Sequence, residues 1–124
     1  MKIIISNGSN KPIYEQITDQ IKDMILSGEL SPGDNLPGMR SLAKDLKISV
    51  ITTKRAYNDL EELGFIETVV GKGSFVAGKN VEILREEQLK LIEDLLQKTT
   101  ELAKVSKVSL EELQEILDVI YRGE

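Results

Sequence analysis

Residues 39–64 read MRSLAKDLKISVITTKRAYNDLEELG and contain two helical patterns separated by only two or three residues. In the first pattern, apolar residues recur at i, i+3, i+4 and i+7, which is the spacing of one buried helix face. These residues are Met39, Leu42, Ala43 and Leu46. The second pattern begins after Ser49, a good N-cap, ends at Gly64, and has a buried face of Thr53, Ala56, Leu60 and Leu63. Together they predict a helix-turn-helix.

The outward faces of these two helices are predicted to be basic. The first helix carries a stripe at i, i+4 and i+7 that consists of Arg40, Lys44 and Lys47. The outward face of the second helix is predicted to carry Val50, Ile51, Lys54 and Asn58, with Arg55 and Tyr57 on its flanks. Residues 37–58 hold five basic residues against one acidic residue, a net charge of +4, in a chain whose net charge is −5. A basic island of this kind is typical of a nucleic-acid contact.

The flanking segments extend this pair into a small domain. Upstream, Asn10 and Pro12 precede a helix that ends at Gly28. Its apolar face reads Ile13, Tyr14, Ile17, Ile21, Met24 and Ile25. Downstream, period-two patterns over residues 65–70 and 74–77 enclose Gly-Lys-Gly at 71–73, which predicts a β-hairpin. We expect Tyr14 and Tyr57 to pack in the core of this domain, with their hydroxyls reaching the surface.

The C-terminal segment predicts two further helices that need a partner. A long helix runs from Val81 to about Val105, and Ser109 to Glu112 form a capping box that opens a last helix. Because two amphipathic helices cannot close a core alone, we expect them to pack against a second copy across a two-fold axis. The predicted dimerisation residues are Leu84, Leu91, Leu95, Leu113 and Leu117. The predicted domains are therefore residues 1–78 and 79–124.

The residue types exclude most catalytic chemistry. The chain has 124 residues with no His and no Cys, and so it has no thiol nucleophile, no Ser-His dyad and no zinc or haem ligand set. We expect no catalytic residue, no metal and no cofactor. No apolar stretch reaches the roughly 18 residues of a membrane span, and the N-terminus lacks a signal-peptide core. The prediction is a cytoplasmic protein with no membrane contact.

The order of elements predicts a mainly α fold with a small β-hairpin: a winged helix-turn-helix domain followed by a two-helix C-terminal dimerisation hairpin. In such a fold the third helix enters the DNA major groove, and the hairpin reaches the backbone or the minor groove. An alternative is a winged-helix-shaped module that binds another protein and does not bind DNA, with Val50 and Ile51 as its contact patch. An enzyme is the third and weakest hypothesis.

Six spaced segments resemble the GntR family of bacterial transcription regulators. They are residues 12–17 (PIYEQI), 28–34 (GELSPGD), 36–40 (LPGMR), 42–43 (LA), 56–57 (AY) with 60–61 (LE), and 71–76 (GKGSFV). The short two-helix tail is similar to that of the YtrA subfamily. The resemblance implies a homodimeric repressor on a palindromic DNA operator, and it leaves room for a small-molecule effector without identifying one. Two residues depart from the family pattern: Gly38 stands where Ser is common, and Val50 stands where many members carry Arg.

The resemblance also implies where DNA is bound: at the Arg that follows the Leu-Pro segment, at the start of the third helix, and at the hairpin tip. Added to the outward faces described above, it completes the predicted DNA-binding set. That set is Arg40, Lys44, Lys47, Ser49, Val50, Ile51, Thr52, Lys54, Arg55, Asn58, Gly71, Lys72 and Gly73. The two glycines either allow close approach to DNA or supply the backbone conformation of the turn, and the two roles are compatible.

Overall fold

The computed structural model describes residues 1–123, and over these residues it confirms the predicted mainly α fold with a two-stranded antiparallel sheet. The elements are α1 (Ile13–Leu26), α2 (Met39–Leu46), α3 (Val50–Glu62), β1 (Ile66–Val69), β2 (Gly73–Val76), α4 (Val81–Val105) and α5 (Leu110–Arg122). The chain divides into two compact units, of which the first is Met1–Arg85 and the second begins at Glu86. No helix within residues 1–123 is both long and apolar enough to span a membrane.

Helix α1 starts directly after Pro12, whose fixed backbone angle suits the beginning of a helix. Ile17, Ile21 and Ile25 are buried in the core as predicted. Ile13 was predicted on the same face, but 37% of its surface is exposed because it is the first residue of the helix and lies at the margin of the core. The helix is followed by Gly28, which has a φ of +82°.

Two glutamines of α1 hold the N-terminal segment, a feature that the hydrophobic pattern does not predict. The Gln20 side chain accepts a hydrogen bond from the Ile4 amide (2.9 Å) and donates one to the Ile4 carbonyl (2.8 Å). Gln16 forms the same pair of bonds with the backbone of Ser6, at 2.8 and 3.2 Å. This arrangement places Ile3 in the core beside α1.

Helices α2 and α3 form the predicted helix-turn-helix. Lys47 ends α2 with a left-handed backbone (φ 58°), and the Ser49 hydroxyl caps α3 by accepting a hydrogen bond from the Thr52 amide at 3.2 Å. Gly38 provides no side-chain cap for α2. Instead, the segment before α2 is tied to α3 by the Tyr57 hydroxyl, which donates a hydrogen bond to the Pro37 carbonyl at 2.6 Å. The prediction that this hydroxyl reaches the surface is wrong, because Tyr57 is buried and its hydroxyl is bonded inside the domain.

Tyr57→Phe is expected to lower the free energy of unfolding by about 1–3 kcal/mol, because it leaves the Pro37 carbonyl without its partner. Burial raises the pKa of Tyr57 to about 12. The folded state therefore keeps this proton more tightly than the unfolded chain does, and stability should fall as pH rises from about 10 to about 12. Urea unfolding curves measure both effects. Tyr121→Phe, at a side chain that is 88% exposed, is the matched control, and an equal loss in both variants would contradict the assignment.

Strands β1 and β2 form the wing, a name used here for residues 66–76. Ile66 pairs with Val76 and Val69 with Gly73, and the hydroxyls of Thr68 and Ser74 are bonded across the pair at 2.9 Å. The segment before α2 supports the outer side of β2 through three backbone hydrogen bonds of 2.9 Å. These are Gly33 N to Val76 O, Val76 N to Asp34 O, and Leu36 N to Ser74 O. Strand β2 is thus held by β1 on one side and by the segment before α2 on the other, which fixes the base of the wing.

Most of α4 and all of α5 belong to the second unit. The Ser109 hydroxyl accepts a hydrogen bond from the Glu112 amide at 3.2 Å, which confirms the predicted N-cap of α5. The Ser109 hydroxyl also donates to the Glu112 carboxylate at 3.5 Å, whereas the second bond of a capping box comes from the backbone amide of the N-cap residue. The first turn of α4 belongs to the first unit instead. Leu84, predicted as a dimerisation residue, is fully buried in the core of the first unit and is not available to a partner. For this reason the units divide after Arg85 rather than after Gly78.

Candidate DNA-binding surface

The outward face of α3 carries two exposed aliphatic side chains between polar ones. Val50 is 42% exposed and Ile51 is 80% exposed, and the predicted polar residues Lys54 and Asn58 are exposed beside them. Exposed aliphatic side chains are common on protein surfaces, but Ile51 has more exposed apolar surface than Val50 and would gain more from burial against a partner. Ile51 is therefore a stronger candidate than Val50 for an apolar contact.

Ser49 and Thr52, both in the predicted site, are already bonded to one another. Their hydroxyl oxygens are 2.8 Å apart, and the Ser49 hydroxyl also accepts from the Thr52 amide. Their first role is to cap α3. Any contact with DNA would use the hydrogen-bonding capacity that remains on these hydroxyls.

The basic stripe of α2 lies on the protein surface. Arg40, in the first turn, and Lys44 are exposed, as is Lys47 at the C-cap. Within residues 1–123 none of the three forms an ion pair, and their charge is not neutralised by the protein itself. We call these three side chains, together with the outward face of α3 (Val50, Ile51, Lys54 and Asn58), the basic surface.

Arg55 differs from the other basic residues because it is held by an aromatic side chain. Its guanidinium carbon lies 3.8 Å from the centre of the Tyr14 ring, and its Nη2 donates a hydrogen bond to the Tyr14 hydroxyl at 3.1 Å. Tyr14 packs against the core as predicted, but its contact with Arg55 was not predicted. A separation of 41 residues between them leaves no local pattern to reveal it.

The tip of the wing presents Val70, Gly71, Lys72 and Gly73 to solvent. Gly71 and Gly73 have φ angles of +79° and +93°, and an added Cβ at either would meet no atom within 4 Å. In the free protein, glycine is favoured at both positions by the positive φ angle and not by a lack of room for a side chain. Val70 is 99% exposed and was absent from the predicted site. The signal for it was available, since it is an apolar residue directly before the glycine of a tight turn.

A helix-turn-helix with an exposed basic face and a supported hairpin defines the winged helix-turn-helix class of DNA-binding domains. The profile of "Bacterial regulatory proteins, gntR family" matches residues 13–76. The chain belongs to the gntR family, as the resemblance indicated, and it is a DNA-binding transcription regulator.

Known relatives resemble both units of the chain. The HTH-type transcriptional repressor YtrA of Bacillus subtilis is 37% identical over 91% of this chain and 87% of its own length. The solved structure of YtrA from Sulfolobus acidocaldarius, described as a GntR-family transcription factor, is 38% identical with a TM-score of 0.62, covering 97% of each chain. The DNA-binding domain of AraR in complex with operator ORX1 is 26% identical with a TM-score of 0.55, covering 62% of this chain and 96% of that domain.

Proposed function

We propose that the chain is a cytoplasmic transcription repressor that binds a two-fold symmetric operator as a homodimer. The observation that carries the proposal is the combination of an unneutralised basic surface in the first unit with unpartnered apolar helix faces in the second. The name of the Bacillus relative, a repressor, supports the direction of regulation. The operator complex of the AraR domain supports double-stranded DNA as the partner.

The apolar faces of the second unit argue for the homodimer. Ten leucine and isoleucine side chains on its two helices are between 42% and 70% exposed. On α4 they are Leu89, Leu91, Ile92, Leu95, Leu96 and Leu102, and on α5 they are Leu110, Ile116, Leu117 and Ile120. Because they are already partly buried, each would gain roughly half of the ~1.5–3 kcal/mol that full burial of a fully exposed side chain contributes. A second copy supplies the same apolar faces and closes a helical bundle with the symmetry that a palindromic operator requires.

The side chains of the basic surface and of the wing tip suit different parts of the duplex. The planar fork of Arg40 can bind the O6 and N7 atoms of guanine, or a phosphate, with two parallel hydrogen bonds. Lys44, Lys47 and Lys72 are mobile point charges and suit phosphates. Val50 and Ile51 can offer only apolar contact, for which the natural target in the major groove is the thymine methyl group.

Replacing thymine by uracil in the half-site is expected to weaken binding of the wild-type protein, because this change removes only the methyl group. Ile51→Ala and Val50→Ala should be less affected by the same replacement, since they have less apolar surface to lose. Fluorescence anisotropy with matched thymine and uracil duplexes measures the difference. Equal losses in all three proteins, or no loss in any, would show that these side chains do not contact the methyl group.

The proposal is tested by selecting bound fragments from a random DNA library with the purified full-length chain. A homodimer on a palindromic operator should enrich sequences with two inverted half-sites separated by a constant distance near a multiple of the helical repeat, about 10 base pairs. Enrichment of a single unrepeated site would overturn the homodimer on a palindrome, and no enrichment would overturn sequence-specific binding.

A further inference from the structure

Arg55 and Tyr14 form a preorganised pair at one edge of α3. Arg55 follows Ile51 by four residues and precedes Asn58 by three, so it lies on the flank of their outward face. It also lies at the margin that borders α1, because α1 packs against α3 and carries Tyr14. The guanidinium is therefore stacked on one side and open to solvent on the other.

The hydrogen bonds of the pair fix the direction of the guanidinium. The Tyr14 hydroxyl donates to the Glu15 carboxylate at 3.2 Å, which leaves a lone pair of the hydroxyl for Arg55 Nη2 at 3.1 Å. A guanidinium has five N–H donors. Tyr14 uses one of them, and its ring face uses none, so donors remain for a ligand on the solvent side.

We propose that Tyr14 is a positioning residue that holds Arg55 in place to bind one phosphate of the DNA backbone. This inference rests on the proposed function, in which α3 enters the major groove. A helix in the groove meets base edges along its central face and the sugar-phosphate strands along its flanks. Arg55 is on a flank, and the fork of an arginine matches the oxygens of a phosphate.

The contact with Tyr14 reduces the conformational entropy that Arg55 loses when it binds a phosphate. A free arginine on the surface loses rotamer freedom when it binds a phosphate. The stack on Tyr14, together with the hydrogen bond, imposes that order before DNA arrives. Removing Tyr14 should therefore weaken binding without removing the contact, whereas removing Arg55 should remove the contact itself.

A double-mutant cycle separates these effects, with dissociation constants measured on a selected and a scrambled duplex at several salt concentrations. Arg55→Ala should weaken binding to both duplexes by a similar factor and reduce the slope of log K against log salt by about 0.9, the value for one phosphate. Tyr14→Leu should weaken binding about 2- to 10-fold, the cost of ordering one long side chain, and leave the slope unchanged. Adding Tyr14→Leu to Arg55→Ala should have no further effect.

Two further variants keep the test interpretable. Tyr14→Phe retains the ring and the core packing but lacks the hydroxyl, so we expect a loss smaller than that of Tyr14→Leu. Lys22→Ala is the matched control, because Lys22 is also a cation over an aromatic ring, 6.0 Å from the centre of Phe65, but it lies on α1 outside the basic surface. It should leave the salt slope unchanged.

The outcomes distinguish this inference from the proposed function. If Tyr14→Leu weakens binding equally with and without Arg55, its role is structural and the inference is overturned. An unchanged affinity and slope for Arg55→Ala also overturns it, while wild-type binding to the selected duplex still supports the proposed function. Failure of the wild-type protein to bind any duplex would overturn both.

Discussion

Leu95→Lys is expected to convert the proposed dimer into a monomer and to weaken operator binding by on the order of 100-fold or more. Leu95 is 63% exposed on α4, so the substitution should leave the fold of the single chain intact while placing a charge in the dimer interface. The loss of affinity is large because a dimer engages its second half-site intramolecularly, an advantage that a monomer lacks.

Gln97→Lys is the control for Leu95→Lys. It adds the same charge two residues further along α4, on the other side of the helix. We expect this variant to remain dimeric and to bind the operator like the wild-type protein. Analytical ultracentrifugation and operator titration test both variants. Sedimentation of Leu95→Lys as a dimer with wild-type affinity would rule out this face as the interface.

Arg40→Ala is expected to cost about 1–3 kcal/mol of operator affinity if Arg40 forms a bidentate bond with guanine. It should also reduce the preference for the operator over scrambled DNA.

Lys72→Ala should behave differently: a lysine on a phosphate contributes equally to all sequences, so affinity should fall on both duplexes and the salt slope should decrease by about 0.9.

Lys2→Ala is the matched control for these two substitutions. It removes an equal charge from the N-terminal segment, outside α2, α3 and the wing, and should change neither affinity nor preference. If Arg40→Ala binds the operator as tightly as the control does, the placement of α2 against DNA is wrong.

The fold followed from the sequence wherever a local pattern dictated it. The caps at Ser49 and Ser109 and the glycines of the wing are short-range signals, and the structure has them as predicted. The predicted hairpin also forms, but β1 does not alternate in burial: Ile66 is buried and the next three residues are exposed. Leu84 shows the limit of such signals. Its place in the apolar period of α4 is the same as that of the later leucines, and only the tertiary contacts of the first unit decide that it is buried there.

The site was predictable as a surface but not in its internal contacts. Charge and helical spacing identified the exposed basic residues of α2 and α3. The contact of Arg55 with Tyr14 and the hydrogen bond from Tyr57 to Pro37 join residues 41 and 20 positions apart. Pairs so distant in sequence depend on how the helices pack, which a one-dimensional pattern does not specify. The first contact orders Arg55 beside the basic surface, and the second ties the start of α2 to α3.

The sequence also allowed an alternative, a winged-helix module that binds another protein through Val50 and Ile51, over which membership of the gntR family favours DNA binding. Both residues are exposed, and an apolar patch of this kind could bind a protein without DNA. The two hypotheses differ in physical terms. Binding through phosphates releases condensed counterions and weakens steeply with salt, whereas apolar contact is nearly indifferent to salt over the same range.

The most direct test is therefore the affinity of the full-length chain for a selected duplex, measured as log K against log salt between about 50 and 200 mM. Binding through several phosphates on each half-site predicts a steep linear decrease, with a total loss on the order of 10³-fold or more for six or more contacts. The selected duplex should bind more tightly than a scrambled one throughout. An affinity that does not change with salt, or that is equal for the two duplexes, would contradict the account.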